Sequence, residues 1–96
     1  MASGYWVVVF RSISDPAGLD RYTAAAVPAI RAHGGRVLAA GVPGFAYESG
    51  TLQRVALVEF DSLDAANAAY GSADYQAAVR HLDGAAERDV RIVEGF

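Results

Sequence analysis

From Tyr5 to Phe10 the chain reads YWVVVF, apolar at six consecutive positions. A β-strand sends alternate side chains to opposite faces. Tyr5, Val7 and Val9 therefore point one way, and Trp6, Val8 and Phe10 the other. Both faces call for burial, which is a heavy demand on a chain of 96 residues. A single domain of that size hides somewhat over ~60% of the surface its unfolded form exposes. One face of a sheet can be covered from within such a chain; the other needs a further surface.

The rest of the pattern supplies the order of elements. The first strand spans 5–13. Asp15 is placed to cap a helix whose first turn accepts Pro16, and this helix is predicted from about 16 to 33. Leu19, Tyr22, Ala26, Ile30 and His33 lie on one stripe at helical spacing. Pro28 removes a backbone donor inside it, which predicts a kink or slack turn. Gly34–Gly35 ends the helix, since glycine adopts the left-handed cap at little cost. RVLAAGV, 36–42, reads as a second strand; Pro43–Gly44 interrupts it and FAYE continues as an extended arm. Ser49–Gly50 suits a two-residue hairpin turn, with 51–60 returning as the third strand. A second helix follows, with Ser62 as cap and Leu63, Ala66 and Tyr70 as its inner stripe. It restarts at Ser72, with Tyr75, Ala78, Val79 and Leu82 on one side. DVRIVEGF, 89–96, is the last strand.

Strand, helix, strand, strand, helix, strand is the split βαβ, ferredoxin-like arrangement, an α+β fold in one domain over 1–96. Right-handed connections put both helices on one face of an antiparallel sheet. If Trp6, Val8 and Phe10 face the helices, the bare face carries Tyr5, Val7 and Val9, joined by Val55 and Leu57 and by Val90 and Ile92. An apolar patch of that extent is rarely left exposed on a monomer. A second copy covers it economically, so a homodimer closing into a dimeric α/β barrel is expected.

Composition excludes several classes. The net charge is −3, lysine is absent, and the eight arginines are scattered, so no concentrated basic face for nucleic acid is expected. Without cysteine there is no disulfide, thiol nucleophile or zinc–thiolate site. No segment approaches a membrane span, and MASGYW lacks a charged start followed by an apolar signal core; the expected compartment is the cytoplasm. Two histidines 48 positions apart make no metal motif, and no nucleophile elbow, phosphate loop or dinucleotide fingerprint occurs. No cofactor is expected.

GYW, AAAVPAIRAHGGRVLAAG, VEFDS, AAYGSADYQAAV and AAERDVRIVEG together resemble a bacterial family: domain-of-unknown-function family thirteen-thirty, of the dimeric α/β-barrel superfamily. The similarity covers nearly the whole chain, and GGR and Y-x-S-x-x-Y-Q-x-A are its most specific parts. The resemblance implies the ferredoxin-like dimer. The superfamily includes cofactor-free monooxygenases, lactone isomerases, haem-degrading enzymes, polyketide cyclases and amino-acid-binding regulator domains, and fold alone does not choose among them. Many relatives carry arginines where this chain has Leu82 and Ala40. Where those bind an anion, this chain has lost that grip or moved it to Arg80.

Few residues could carry chemistry. Glu59, on the barrel-facing side with Val55 and Leu57, is expected as the catalytic base, since an apolar cavity raises a carboxyl pKa; the other reading is a strand-end carboxylate paired with Arg11 or Arg54. His33, at the end of the first helix, is a second catalytic candidate, or else a residue that satisfies terminal carbonyls. Trp6, Tyr22, Tyr70, Tyr75 and Arg11 are the expected ligand-binding residues, the aromatic ones serving otherwise as core. His81 is expected to be exposed. These point to a cofactor-free isomerase, cyclase or monooxygenase acting on a small hydrophobic ligand, or to a non-catalytic ligand-binding or assembly module. Haem handling through His33 has thin support.

Overall fold

The first strand is the axis of the molecule. In the computed structural model, which describes residues 2–96, β1 (Gly4–Ile13) is followed by α1 (Pro16–Ala32), β2 (Arg36–Gly41), β3 (Val55–Phe60), α2 (Leu63–Tyr70), α3 (Ala73–Val79), a 3-10 turn (Arg80–Leu82) and β4 (Ala86–Glu94). The strand order is β2-β3-β1-β4, and every neighbouring pair is antiparallel. This is the α+β ferredoxin-like sheet, with the helices packed on one face.

Trp6, Val8 and Phe10 point at the helices and are buried, with Val58 and Phe60 of β3 and Ala26, Ala29 and Ile30 of α1. Trp6 is the anchor. Burying roughly 200 Å² of aromatic surface contributes on the order of 5 kcal/mol, and its indole nitrogen donates to the Ala66 carbonyl at 2.8 Å. The alanines of α1, α2 and α3 let the helices approach the sheet closely around that ring.

Local chemistry sets the ends of the helices. The Asp15 side chain accepts from the Ala17 amide, and the Ser62 hydroxyl from the Ala65 amide, as side-chain caps do. Pro28 sits inside α1 without ending it. At its C-terminus Gly34 N–H donates to Arg31 and Gly35 N–H to Ile30, the paired bonds of a Schellman cap. Ser72, at the start of α3, is the exception. Its hydroxyl donates to the Ala69 carbonyl at 2.7 Å and does not cap α3. Leu63 departs from expectation: it is exposed, and Ala66 and Ala69 form the buried stripe of α2.

Two strand boundaries are corrected. Residues 51–54 do not belong to β3; 42–54 form a connection with a turn closed by Gly50 N–H to Tyr47 C=O. Glu48 takes a left-handed φ of 55° there, but no ladder flanks the turn, because 42–47 has no partner strand. β4 begins at Ala86 rather than 89 and ends at Glu94.

The bare face is corrected as well. Val90 pairs with Val8 and Ile92 with Trp6, and directly opposed residues share a face. Val90 and Ile92 therefore pack on the helix side. The residues of β4 on the bare face are Asp89, Arg91 and Val93. That face is apolar across β1 and β3, where Val7 opposes Leu57 and Val9 opposes Val55. Along β4 it is charged, with Asp89 bound by Arg11 and Arg91.

Candidate functional site

One row across the sheet builds the site. Phe10 opposes Arg88 on β4, and on its other side its amide donates to the Arg54 carbonyl at 2.9 Å, just ahead of β3. Phe10 faces the helices, so its two neighbours do too. Between this row, the middle of β1 and β3, and α1 lies a cavity of ≈ 70 Å³. Trp6, Phe10, Tyr22, Ala26, Arg54 and Arg88 are among its walls. Val37 and Ala40 of the edge strand β2 line it as well.

At one end of the cavity two phenols meet. The hydroxyl oxygens of Tyr22 and Tyr75 are 2.6 Å apart, and the Arg88 guanidinium donates to Tyr22 at 3.1 Å and to Tyr75 at 3.3 Å. That guanidinium also lies 5.0 Å from the Tyr22 ring centre and 5.8 Å from that of Phe10, within cation–π range. No carboxylate pairs with Arg88 among the described residues. Burial disfavours its charge, but the two phenolic oxygens outweigh that and hold its pKa above the usual value. Burial, with the Tyr22 oxygen beside it, pushes the Tyr75 phenol far above its ordinary value. Tyr75 therefore stays an O–H donor across the physiological range.

Trp6 ties this cluster to the core. Its ring centre is 4.7 Å from Tyr75, 5.0 Å from Phe60 and 5.8 Å from Tyr70. The structure thus brings together Trp6, Tyr22, Tyr70 and Tyr75. Trp6 and Tyr22 reach the cavity, and Tyr75 backs Tyr22 from outside its wall.

Glu59, His33 and Arg11 lie elsewhere. Glu59 is on the bare face between Tyr5 and Arg36. The Tyr5 hydroxyl donates to it at 3.0 Å and Arg36 Nε at 3.2 Å; neither Arg11 nor Arg54 pairs with it. The hydrogen bonds from Tyr5 and then Arg36 hold its pKa below the usual carboxylate value, opposite to the rise a general base would need. His33 Nε2 lies 2.9 Å from Asp74 Oδ1 at the protein surface, joining α1 to α3. Arg11 sits at a β-bulge between Phe10 and Ser12 and donates to Asp89 at 3.0 Å on the bare face. Arg80 and His81 are exposed.

From the sequence Arg54 is read only as a possible partner of Glu59, and Arg88 is passed over. With β4 starting at Ala86, Arg88 falls in step with Val90 and Ile92, and that parity is the one signal that could have found it. The resulting cleft holds hydrogen-bond donors and positive charge but no carboxylate or imidazole among its lining residues. The Thr23 hydroxyl is turned back to the Leu19 carbonyl. Such a set can stabilise negative charge on a ligand oxygen better than it can remove a proton. No group of metal-ligating side chains occurs among the described residues, and no helix there is long and apolar enough to cross a membrane.

Solved structures share this architecture. A protein of unknown function from Rhodopseudomonas palustris is similar with a TM-score of 0.70 and 16% identity, covering 99% of this chain and 83% of that one. A protein from Thermobifida fusca described as dimeric, ferredoxin-like and of unknown function gives 0.67 and 16%, over 96% and 90%. A candidate antibiotic biosynthesis monooxygenase from Nitrosomonas europaea gives 0.63 and 15%, over 100% and 93%. No curated protein matches the chain. The sequence pattern of one family runs through residues 3–96, from ahead of β1 to the end of the chain, and the protein belongs to that family, Domain of unknown function (DUF1330).

Proposed function

We propose that the chain works as a homodimer and binds a small, largely apolar molecule between α1 and the sheet. In this reading it is an enzyme without a bound cofactor, of the isomerase, cyclase or monooxygenase type. The observation that carries it is the half-buried Arg88 guanidinium shared by two phenols 2.6 Å apart beside an apolar cavity. Arg88 and the Tyr22–Tyr75 pair hold the ligand's polar oxygen and stabilise charge as it develops there, while Trp6 and Phe10 flank its apolar body. Glu59, His33 and Arg11 have no part in this chemistry. The homodimer is supported by the apolar bare face of Val7, Val9, Val55 and Leu57, and by structural neighbours described as dimeric. A neighbour described as a candidate monooxygenase supports the enzyme class in general terms.

The narrowness of the cavity, ≈ 70 Å³, and its lack of a base favour a second reading, a non-catalytic ligand-binding module. One experiment separates the two. The protein is incubated with the small-molecule fraction of a bacterial extract, and the mixture is followed by mass spectrometry beside an Ala26→Trp variant whose cavity is filled. Turnover of a compound by the wild type alone supports the enzyme; retention of an unchanged compound supports the binding module. If the two proteins behave identically, the cleft is not a functional site.

A further inference from the structure

We propose that the ligand of this cleft is a small organic carboxylate, gripped by Arg54 and Arg88 across the Phe10 ring. The inference rests on the cleft being a binding site and adds the charge and size of what it takes.

The first support is the row itself. Arg54 and Arg88 flank Phe10 on opposite sides, so their Cα atoms are about two strand spacings, ~10 Å, apart. Both project to the helix-covered face and both line the same cavity. Two like charges turned toward one apolar space repel each other, and the repulsion grows as water leaves. An anion between them reverses its sign.

The second support is what the other arginines do. Arg11, Arg21, Arg36 and Arg91 each meet a carboxylate within the chain. Arg31, Arg54, Arg80 and Arg88 meet none among the described residues; Arg31 and Arg80 are exposed to water, whereas Arg54 and Arg88 line the cavity. The two half-buried arginines at the cavity are left without a carboxylate while more exposed ones have theirs. A buried guanidinium costs free energy unless its charge is answered. The two phenols answer Arg88 in part and leave its positive charge in place.

The third support is size. A cavity of ≈ 70 Å³ is about half the volume of one that takes up benzene. It admits a carboxylate with a short alkyl chain, or the acidic end of a longer molecule. A guanidinium fork suits a carboxylate's two oxygens.

Butyrate and its neutral isostere butyramide serve as probes, read through the amide resonances of the whole protein and the fluorescence of Trp6, the single tryptophan. Butyrate at millimolar concentration should move the amides of Phe10, Tyr22, Arg54 and Arg88; butyramide should not. Arg54→Gln should weaken butyrate roughly ten-fold at an unchanged melting temperature, and Arg88→Lys, which keeps the charge and loses the fork, should weaken it as well. Equal response to the two probes overturns the carboxylate assignment and leaves the binding cleft standing. Butyrate shifts confined to exposed Arg31 and Arg80, or unchanged affinity in Arg54→Gln, also overturn it. Silence of the cleft resonances to both probes overturns the assignment and the binding reading together.

Discussion

The hydroxyl of Tyr22 on α1 meets the hydroxyl of Tyr75 on α3 at 2.6 Å, and both accept from Arg88 on β4. Three elements distant in the chain are joined by one hydrogen-bonded knot. If Tyr75 donates to Tyr22, the Tyr22 proton is free to point into the cavity, so the knot also orients the one phenol that lines it.

That coupling is measurable. Tyr75→Phe and Tyr22→Phe each remove one hydroxyl from a partly buried cluster and should cost about 1–2 kcal/mol, a fall of roughly 4–8 °C in Tm per kcal/mol for a domain of this size. Because the partners are shared, the double variant should fall short of the sum by about 1 kcal/mol. Urea unfolding of the four proteins checks this; strict additivity would show that the two oxygens do not interact.

Gly34 and Gly35 are adjacent but required for different reasons. Gly34 has φ 82° with open space around a Cβ, whereas a Cβ on Gly35 would lie 2.5 Å from Ile30 Cγ2 and 2.7 Å from Phe60 Cε2. Gly34→Ala should cost about 1 kcal/mol for its left-handed backbone, and Gly34→Asn less, since asparagine tolerates that region. Gly35→Ala should cost about 1–3 kcal/mol by overpacking the core, with no relief from asparagine. Thermal melts of the four variants test the contrast; rescue at Gly35 by asparagine would contradict it.

Much of this architecture can be read from the residues, for physical reasons. Asp15 before Pro16, Ser62 before Leu63, and the Gly34–Gly35 pair are local signals with local causes, and they place the helix ends closely. The alternation of β1 separates Trp6, Val8 and Phe10 from Tyr5, Val7 and Val9, but both sets are apolar, and packing against the helices decides that the first set faces inward. β4 is harder, since Val90 and Ile92 are as apolar as Val7 and Val9. Only their register with Val8 and Trp6 sends them to the core. Arg54 and Arg88 escape for a related reason: an arginine within a strand reads as a solvated position until the neighbouring strands reveal which face it shares. Glu59 is placed on the correct face from sequence, but its partners, Tyr5 and Arg36, come from two other strands and are set by register alone.

The acid side of the stability profile should be shaped by surface carboxylates. Glu59, Asp74 and Asp89 all have pKa values lowered from 4.5, 3.8 and 3.8. The leading causes are the hydrogen bonds from Tyr5, His33 and Arg91 respectively. Each carboxylate binds its proton more readily in the unfolded chain, so stability rises with pH between the folded and unfolded values. The contribution is complete above the unfolded values and is lost as pH falls through the lower folded ones. Arg36→Gln removes one of the two leading causes at Glu59 and should flatten that loss, more clearly at low salt than at high salt because the pair is exposed. Urea midpoints between about pH 2 and 6 check it; an unchanged acid limb would show that the Arg36 pair contributes nothing.

In the proposed homodimer the bare face is the interface. Val7 and Leu57 are directly opposed at its centre, and Val7 is 36% exposed in the single chain. Beside Val7 and Val9 a hollow of ≈ 550 Å³ is lined by Ser49–Thr51 and by Arg11, Asp89 and Arg91, and Phe45, Tyr47 and Leu52 of the adjoining connection are exposed. A stable interface buries about 1,600 Å² in total; Val7 and Val9 of this face and Phe45, Tyr47 and Leu52 of the connection are the exposed apolar residues it would draw on. Val7→Glu places a carboxylate where the lone subunit has water and the assembled one does not. The wild type should sediment at twice 10.1 kDa with a melting temperature that rises with concentration. Val7→Glu should sediment at the single-chain mass, fold, and lose that concentration dependence. A wild type that sediments as a single chain would overturn the homodimer. A Val7→Glu variant that still pairs would move the interface off this face.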